Sequence, residues 1–366
     1  MADRLTEEKW LRRLTFLPTA PGIEDAVISW VGTWVARRPD LTLARDTGGN
    51  LLIAMKGRRA KRPVLAVAHM DHPAFVITAS SQGEALFEFR GGVRAEYFEG
   101  ARVEIGERKV VGRVVSYAPE TGRGTIRHRG ADPPAGTIAR WAIAEQPEPP
   151  GRLLAPACDD LAGVVAALAA LDRARGVTGL SHFGVLLTRA EELGFVGAIH
   201  AAKTGVIADG SRLLSIEASR TSTDAPIGHG PVIRVGDASS VFDHELTNSV
   251  SAAAMRSGIR HQRKLMAGGS CEATAFGAYG LRATGLCLPL GNYHNQGRLD
   301  AVEAGRSRGR AMMEEISLED FHGLVDLLLV AAEGVDRPLD LRGRLDDFHS
   351  ARLHLISPPE DRGLGT

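Results

Sequence analysis

The apolar residues of this chain recur at helical spacing in some segments and form short unbroken runs in others. From Ile23 to Arg37 they return every three or four residues, which predicts an amphipathic helix. Leu51 to Met55 and Val64 to Ala68 are short apolar runs that lie between Gly, Asn, Arg and Pro residues, and they predict strands. The chain therefore begins with a pattern that is typical of an α/β domain.

From about Phe75 onward the helical spacing disappears and short β-type runs follow one another. These runs are separated by Gly, Glu and Arg, and they end before the Pro-rich loop Glu145 to Gly151. A block of strands without helices predicts a small all-β module. The predicted strands are Phe75 to Thr78, Ala85 to Phe89, Arg102 to Ile105, Lys109 to Ser116 and Gly124 to Arg127.

Beyond this loop, helices and strands alternate again. Because the α/β pattern lies on both sides of the β-only block, we predict a doubly wound, mixed α/β sheet with helices on both faces. This sheet is interrupted by an inserted, small, barrel-like all-β domain. The predicted helices are Leu161 to Arg173, Gly194 to Lys203, Asp243 to Arg256 and Ser317 to Ala332. The predicted strands are His182 to Leu187, Leu213 to Glu217, Pro231 to Val235 and Ala283 to Leu288.

The predicted domain boundaries follow these changes of pattern. Residues 1–74 and 155–336 form the two parts of the α/β domain, and residues 75–154 form the inserted β domain. Residues 337–366 are polar and Pro-rich, and we expect them to form a C-terminal extension on the surface. The length of 366 residues agrees with this division, since one ordinary domain is usually shorter.

The composition argues against several classes of protein. The formal net charge is zero, which speaks against a dedicated nucleic-acid surface, and the short basic segment Lys56 to Arg62 is typical of a solvated loop. No apolar run is as long as a membrane span, and Met1 to Leu14 lacks the apolar centre of a signal peptide. The three cysteines are an odd number, which favours free thiols. We therefore expect a cytoplasmic protein without a nucleic-acid or membrane partner.

Polar residues occur at five positions in the α/β region, each near the carboxyl end of a strand or just before a helix. Because ligands in open α/β sheets bind outside the carboxyl ends of the strands, these side chains could converge. Histidines together with carboxylates suit Zn²⁺, Co²⁺ or Mn²⁺, and such a set can hold two ions with a bridging carboxylate. The five positions are His69-Met70-Asp71, Asp159-Asp160, Glu191-Glu192, Glu217 and His294.

Each position also has an ordinary structural interpretation. The acidic pairs could lie at the N-termini of the helices that follow them, where carboxylates are favourable. Each histidine could be a buried core residue or a loop residue, and Glu217 could be a charged strand end. A glycosidase built on Glu191 and Glu192 is disfavoured, because paired glycosidase carboxylates face each other across a sugar. Taken jointly, the ordinary interpretations need five coincidences at corresponding positions of the sheet.

The order of the motifs resembles that of a known family. The motifs are His69-x-Asp71, Asp159-Asp160-x-x-Gly163, Glu191-Glu192-x-Gly194 and Tyr293-His294, supported by Pro18-x-x-Pro21-Gly22-x-Glu24, Gly49-Asn50-Leu51, Gly228-x-Gly230-Pro231 and Gly268-Gly269-Ser270. Together they resemble metallopeptidase family 42, the tetrahedral or glutamyl-type aminopeptidases of the two-metal zinc peptidase clan. The long β-rich interval between His69 and Asp159 favours this family over related carboxypeptidases and deacylases, in which the extra domain follows the paired glutamates.

The resemblance implies a set of metal ligands. Asp159 would bridge two divalent ions, aided by a cis peptide bond to the next residue. His69 and Glu217 would complete one metal site, and Glu192 and His294 would complete the other. Zinc is the first expectation for both sites, with cobalt or manganese as alternatives.

The resemblance also implies the catalytic roles and the activity. Asp71 would orient the His69 imidazole, and Glu191 would be the general base that moves a proton from a metal-bound water to the leaving amine. The expected protein is a two-metal-dependent aminopeptidase that acts on short peptides. Members of the family assemble through the inserted β domain, so a homo-oligomer between a dimer and a dodecamer is expected.

The sequence departs from the family pattern around the expected substrate pocket. The ligand that is usually Asp in the family is Glu217, and glutamate at this position is more typical of carboxypeptidases and deacylases in the wider clan. One alternative is therefore a metal-dependent carboxypeptidase or N-deacylase with the same site. A separate alternative is a catalytically inactive relative that acts as a binding or assembly protein. The other departures are His72 for a glutamate, Gly291-Asn292-Tyr293-His294 for Arg-Tyr-x-His and Gly269-Ser270-Cys271-Glu272 for Gly-Gly-Thr-Asp.

Overall fold

The fold is described from a computed structural model, and the described residues are 2–57, 62–144, 146–335, 337 and 340–356. Parts of three sequence predictions lie outside them. These parts are residues 58–61 of the predicted basic loop, residue 145 of the predicted boundary loop, and residues 338–339 and 357–366 of the predicted C-terminal extension. Residue 336, at the predicted end of the α/β domain, also lies outside the described residues.

The described residues form alternating helices and strands on both sides of a block of strands. The helices are α1 (Arg4–Leu14), α2 (Asp25–Ala36), α3 (Leu161–Ala174), α4 (Val196–Thr204), α5 (His244–Arg256), α6 (Glu272–Ala278), α7 (Leu299–Glu303), α8 (Leu318–Gly334) and α9 (Leu341–Arg352). The strands before α3 are β1 (Leu41–Arg45), β2 (Leu51–Met55), β3 (Val64–His69), β4 (Ala74–Ser81), β5 (Glu84–Arg90), β6 (Arg102–Ile105), β7 (Val110–Ala118), β8 (Arg123–His128), β9 (Ile138–Trp141) and β10 (Arg152–Ala155). The strands after α3 are β11 (Phe183–Thr188), β12 (Arg212–Arg220), β13 (Val232–Asp237), β14 (Gln262–Met266), β15 (Arg282–Leu290), β16 (Gln296–Gly297), β17 (Arg310–Ala311) and β18 (Glu314–Ser317).

An eight-stranded mixed sheet organises the α/β part, with the strand order β1-β2-β11-β3-β12-β15-β13-β14. Its centre is parallel: β3 pairs with β11 on one side and with β12 on the other, and β12 pairs with β15. The register places Thr188 opposite His69 and Ser215 opposite Val67. Glu217, two residues beyond Ser215, therefore comes level with His69. The carboxyl ends of three neighbouring strands thus meet at one edge.

Both faces of this sheet are covered, which confirms the predicted fold class. On β3 the side chains of Val64, Ala66 and Ala68 pack with apolar residues of α1, α2, α3, α5 and α8. Leu65 and Val67, which point to the opposite face because strand side chains alternate, pack with residues of α4 and α6. A strand that is apolar at every position is expected where helices cover both faces.

The inserted block closes into a six-stranded antiparallel barrel in the order β4-β5-β8-β7-β6-β9. Phe75 lies at its centre, with ring centroids of Phe87, Phe89, Phe98 and Trp141 at distances of 4.7 to 5.8 Å. Closure leaves no free strand edge, and the aromatic cluster gives the barrel an apolar core of its own. The sequence did not predict the closing strand β9, because it is short and follows a segment rich in Pro and Gly.

Several other elements were not predicted from the sequence. They are α1, β1, β10, β14, β16, β17, β18, α6, α7 and the helix α9, which lies within the predicted C-terminal extension and buries none of its residues. Most of these are short or lack a strongly apolar face, so the hydrophobic pattern alone does not mark them. Within the described part of the chain, no helix is long and apolar enough to cross a membrane.

Candidate metal centre

The seven residues singled out in the sequence lie together at the carboxyl edge of the central strands. His69 is the last residue of β3, Glu217 lies on β12, and Asp159 lies just before α3. His294 follows β15, in a turn where its own φ is positive at 53°. The remaining three residues are Asp71, Glu191 and Glu192.

The chain turns sharply where the two adjacent glutamates lie. Ala190, two residues after the end of β11, has a left-handed backbone with a φ of 50°, and residues Glu191–Leu193 form a single 3₁₀ turn. In a continuing strand the two carboxylates would point to opposite faces. The turn instead brings both toward the same site, which is the arrangement that the sequence left open.

The Asp159 carboxylate lies between the two histidines. Its Oδ1 is 3.4 Å from Nε2 of His69, and its Oδ2 is 3.3 Å from Nε2 of His294. Each histidine faces a second carboxylate: Nε2 of His69 is 3.7 Å from Oε1 of Glu217, and Nε2 of His294 is 2.9 Å from Oε1 of Glu192. Ligand atoms at about 2.0–2.1 Å from a tetrahedral zinc ion lie about 3.3–3.4 Å apart, so the Asp159 separations fit metal coordination.

Unsatisfied buried atoms support the same interpretation. Nε2 of His69, Oδ1 of Asp159 and Oε2 of Glu217 are buried and have no hydrogen-bond partner in the described part of the chain. Two overlapping groups have ligand atoms within 4.8 Å of one another: His69, Asp159 and Glu192, and His69, Glu191 and Glu217. Buried polar atoms normally have a partner, and a divalent cation would supply one here.

The electrostatics of the site are those of crowded acids. Burial, together with the charges of Glu217 and Glu192, raises the pKa of Glu191 well above its ordinary value. Burial, with the charge of Asp159, raises the pKa of Glu217 to about 8. Burial alone would also raise the pKa of Asp159, but the nearby charges of His294 and His69 outweigh burial and lower it. A bound cation would therefore stabilise the ionised form of these carboxylates.

Asp71 holds the turn that carries the two glutamates. Its Oδ1 accepts the backbone N–H of Glu191 at 3.0 Å, and its Oδ2 accepts that of Glu192 at 3.1 Å. Nδ1 of His69 donates to the backbone carbonyl of Asp71 at 3.2 Å and lies 3.6 Å from the Asp71 carboxylate. One residue thus contacts both the imidazole and the glutamate turn, since its carboxylate and its carbonyl point to different neighbours.

Two buried glutamates hold the loops of the site: Glu314, which the sequence did not single out, and Glu24, which is part of a quoted motif but was given no role. Glu314 accepts the backbone N–H groups of Cys158, Asp159 and His294 at 2.7, 3.0 and 2.8 Å. Glu24 accepts the N–H of Ala190 at 3.1 Å and the guanidinium of Arg189 at 2.6 Å. A carboxylate within a short buried strand such as β18 is the one local signal that could have drawn attention to Glu314.

A cavity of about 790 Å³ opens beside the metal centre. Its wall includes Glu217, which is a predicted ligand, and Tyr293, which precedes the predicted ligand His294 in the sequence. Its other walls include Ser219, Arg220 and Arg234 and the segment Gly268-Gly269-Ser270. Its volume lies in the usual range for small-ligand pockets.

The comparisons with known proteins agree with this site. The family model described as M42 glutamyl aminopeptidase matches residues 141–304. A search of curated protein sequences finds no match. The match to the family model confirms the resemblance predicted from the motifs, and with it the enzyme class, a metallo-aminopeptidase.

Solved structures with the same fold include several archaeal and bacterial aminopeptidases. The TET1 peptidase of Pyrococcus horikoshii superposes with a TM-score of 0.73 at 20% identity, covering 90% of this chain and 99% of that chain. An aminopeptidase of Desulfurococcus kamchatkensis gives a TM-score of 0.72 at 20% identity, with 92% and 96% coverage. An M18-family aminopeptidase of Thermotoga maritima gives 0.68 at 14% identity, with 90% and 96% coverage. At these identities the likeness shows the fold.

Proposed function

We propose that the protein is a two-metal-dependent aminopeptidase that removes N-terminal residues from short peptides. The observation that carries the proposal is the Asp159 carboxylate between His69 and His294, where each histidine faces a further carboxylate. A carboxylate that offers one oxygen to each of two histidine-containing groups is the arrangement expected of a bridging ligand.

The ligand atoms present fit two divalent ions. His69 and Glu217 would hold one ion and Glu192 and His294 the other, with Asp159 shared between them. Zinc suits this set of histidine and carboxylate ligands best, and cobalt or manganese are the alternatives. Ions held here would supply an activated water molecule and a Lewis acid for the scissile carbonyl.

Glu191 is the proposed general base. Its side chain is largely buried, and one carboxylate oxygen lies 4.0 Å from Nε2 of His69, so it reaches the edge of the ligand cluster. A carboxylate whose pKa lies nearer neutrality can take a proton from water and return it to the leaving amine. Asp71 would keep Glu191 in place, because it binds the backbone N–H groups of the glutamate turn.

A second candidate activity rests on Glu217. Glutamate replaces the aspartate that the family usually carries at this position, and in the wider clan glutamate is more typical of carboxypeptidases and N-deacylases. The same metal centre could serve those reactions, with a different part of the substrate in the cavity. An inactive binding or assembly protein is less well supported, since every predicted ligand and the predicted base are chemically competent.

We also propose that the chain assembles into a homo-oligomer. The Pyrococcus horikoshii TET1 peptidase can form a tetrahedron or a large octahedral shell, and another structure of this kind is a dodecamer. The inserted β domain, residues 75–154, is the proposed site of contact between subunits. In the sequence it lies between the two parts of the α/β domain, residues 1–74 and 155–336. Three buried free cysteines support a reducing, cytoplasmic compartment. Light scattering on the purified chain would measure the assembly.

One experiment tests the activity. Metal analysis is combined with a panel of aminoacyl and N-acylated substrates, for the wild-type protein and for Glu191→Gln. The wild-type protein should contain divalent metal and cleave only substrates with a free α-amine. The variant should retain its metal and lose about 10²- to 10⁴-fold in turnover, the usual contribution of a general base.

Glu245→Gln is the matched control, because Glu245 is an exposed glutamate that pairs with Arg282 far from the centre. It should keep full turnover. Full turnover by metal-loaded Glu191→Gln would show that another group is the base. Cleavage of N-acylated substrates would favour the deacylase, and a protein without metal or metal-rescued hydrolysis would favour the inactive relative.

A further inference from the structure

His72 lies in the short link between β3 and β4, where the chain passes from the α/β domain into the inserted barrel. Only 5% of the residue is exposed. Pro73 follows it, and a proline restricts the backbone of the preceding residue to extended conformations, which limits where the His72 ring can lie. The family pattern has a glutamate at this position, so the histidine is a departure that the ligand set does not explain.

Both ring nitrogens of His72 have a hydrogen-bond partner. Nδ1 donates to the backbone carbonyl of Asp159 at 2.6 Å, since a carbonyl oxygen can only accept. Nε2 lies 3.2 Å from Oδ1 of Asn295. The Asn295 amide nitrogen donates to the carbonyls of Pro156 and Met312 at 2.9 and 3.1 Å, which leaves Oδ1 as the acceptor for His72. The imidazole therefore donates on both sides.

The bond to Asp159 holds the second of the two peptide groups that flank this residue. Glu314 accepts the backbone N–H of Asp159 at 3.0 Å, and His72 donates to its carbonyl. With both peptide groups held, only the side-chain torsions of Asp159 stay free. The direction in which the predicted bridging carboxylate leaves the backbone is thus fixed by two buried side chains, one on each side.

His72 also contacts the loop of a second predicted ligand. Asn295 directly follows His294 in the sequence. The rings of His72 and His294 lie edge to face, with centroids 6.1 Å apart and an angle of 85° between their planes. One side chain therefore touches both the loop of Asp159 and the loop of His294, which come from distant parts of the chain.

An ionised glutamate in place of His72 could make neither hydrogen bond. Its carboxylate oxygens only accept, and the Asp159 carbonyl and Oδ1 of Asn295 are acceptors as well. Acceptors that face each other in a buried site leave polar groups without partners, which costs stability. The histidine is therefore matched to the loops of this chain and does not simply substitute for the family's glutamate.

We propose that His72 is a positioning residue for the metal centre, an inference that rests on the proposed function. Its two donors hold Asp159 and the loop of His294 in the geometry that two ions require. The bond to Asp159 carries most of the effect, because it is the shorter one and because both ions share this ligand. Groups that orient metal ligands typically contribute about 10- to 100-fold in metal affinity or activity.

Two amide variants separate the two contacts. The amide nitrogen of asparagine can take the place of Nδ1, and that of glutamine can take the place of Nε2. His72→Asn should keep the bond to Asp159 and bind Co²⁺ nearly as tightly as the wild type. His72→Gln should keep only the contact with Asn295 and lose about 10- to 100-fold in Co²⁺ affinity. Titration of the metal-free proteins with Co²⁺ measures this affinity, and the visible absorption of the bound ion reports the ligand geometry.

His72→Glu introduces the residue of the family pattern. It should bind Co²⁺ no more tightly than His72→Gln, with an altered absorption spectrum. In the loaded enzyme kcat should fall while KM stays near the wild-type value, because His72 does not line the substrate cavity. His182→Gln is the matched control: Nε2 of His182 donates to the carbonyl of Ala332 at 3.0 Å, next to the amino end of β11. It should match the wild type in affinity, spectrum and turnover.

Co²⁺ affinity at the wild-type level in His72→Glu would overturn the inference and leave the proposed function intact, since glutamate can donate to neither partner. Equal losses in the two amide variants would also overturn it. A matching drop in their free energy of unfolding, measured on the metal-free proteins, would then make His72 a support of the fold. A wild-type protein that binds no Co²⁺ and has no metal-rescued hydrolysis would reject the proposed function and this inference with it.

Discussion

Two buried acidic regions of the α/β domain solve the same electrostatic problem in different ways. In the region between α1, α3 and α8, Glu7 is completely buried, and Arg173 holds it through two hydrogen bonds of 2.7 and 2.6 Å. Burial alone would raise the pKa of Glu7, but the ion pairs with His322 and Arg173 outweigh burial and lower it. Here the chain supplies its own cations.

The metal centre has no such partner. Asp159, Glu191, Glu192 and Glu217 have only histidines within ion-pair distance in the described part of the chain. The pKa of Glu217 is raised to about 8 by burial, with a further contribution from Asp159, whereas the pKa of Glu7 is lowered. In the helical cluster, arginine side chains neutralise the buried carboxylates. At the carboxyl edge of the sheet they do not, so this region is the one expected to depend on cations from solution.

Of three substitutions that test this comparison, the one at Asp159 should have the largest effect, on metal content and activity. Asp159→Asn removes the charge that the two histidines share, so both metal sites should weaken together. We expect metal content to fall for both ions, with a loss of activity of about 10³-fold or more, equivalent to about 4 kcal/mol. Metal analysis after dialysis and steady-state kinetics measure the two effects.

Asp326→Asn provides the matched control, because Asp326 pairs with Arg173 and Arg4 in the helical cluster. Its metal content and specific activity should match those of the wild type. An Asp159→Asn protein that still holds both ions would show that this carboxylate does not bridge them.

Loss of Arg173 should have the second largest effect, on stability instead of on metal binding. Arg173→Met leaves the Glu7 carboxylate buried without its bidentate partner, which typically costs about 3 kcal/mol or more of unfolding free energy. Metal content of the folded protein should not change, because the two regions share no ligand. Denaturant unfolding of the metal-loaded protein measures the loss.

Arg4→Met is the corresponding change at an exposed pair, since Arg4 and Asp326 are 3.4 Å apart and largely solvated. It should alter the unfolding free energy by less than about 1 kcal/mol. Equal costs for the two variants would mean that burial of Glu7 does not set the value of its partner.

Loss of the Glu314 charge should have the smallest effect of the three. Glu314→Gln replaces one accepting oxygen with an NH₂ group that faces backbone donors, so the loops of Asp159 and His294 should shift. Changes of groups that orient metal ligands typically cost about 10- to 100-fold in metal affinity or activity. Metal titrations and kcat/KM measure the two quantities.

Glu315→Gln is the natural control, because Glu315 is the next residue of β18 and pairs with Arg152 instead. It should leave both quantities unchanged. Metal affinity that stays at the wild-type level in both variants would show that the three backbone hydrogen bonds do not position the ligands.

Much of the fold could be predicted because its signals are local. The run Val64 to Ala68 predicts a strand covered on both faces, and β3 is buried along its whole length. The run of strands without helices from Phe75 onward predicts a separate module, and in the structure these strands form a closed barrel. The short strand β9 and the helix α6 were missed, because their few residues give too little periodicity to identify an element.

The candidate site divides in the same way. His69, Asp159, Glu191, Glu192, Glu217 and His294 stand beside strand or helix ends, so their positions in the sequence suggest one edge of a sheet. Glu314 begins the strand β18, which is too short for the hydrophobic pattern to mark, so its role could not be predicted. The amide groups that Glu314 accepts include one that is 156 residues away in sequence, and such a contact exists only after folding.

The sequence by itself therefore determined many of the elements, the fold class and the polar residues that stand near the carboxyl ends of strands. Hydrophobic periodicity and strand-end position are properties of neighbouring residues, and folding does not change them. The tertiary structure alone decided which carboxylates have a cation and which do not. Glu7 and Glu217 are both buried glutamates, yet only the packing of distant segments gives one an arginine and brings the other level with His69. Distances and burial set those charges, and they exist only in the folded chain.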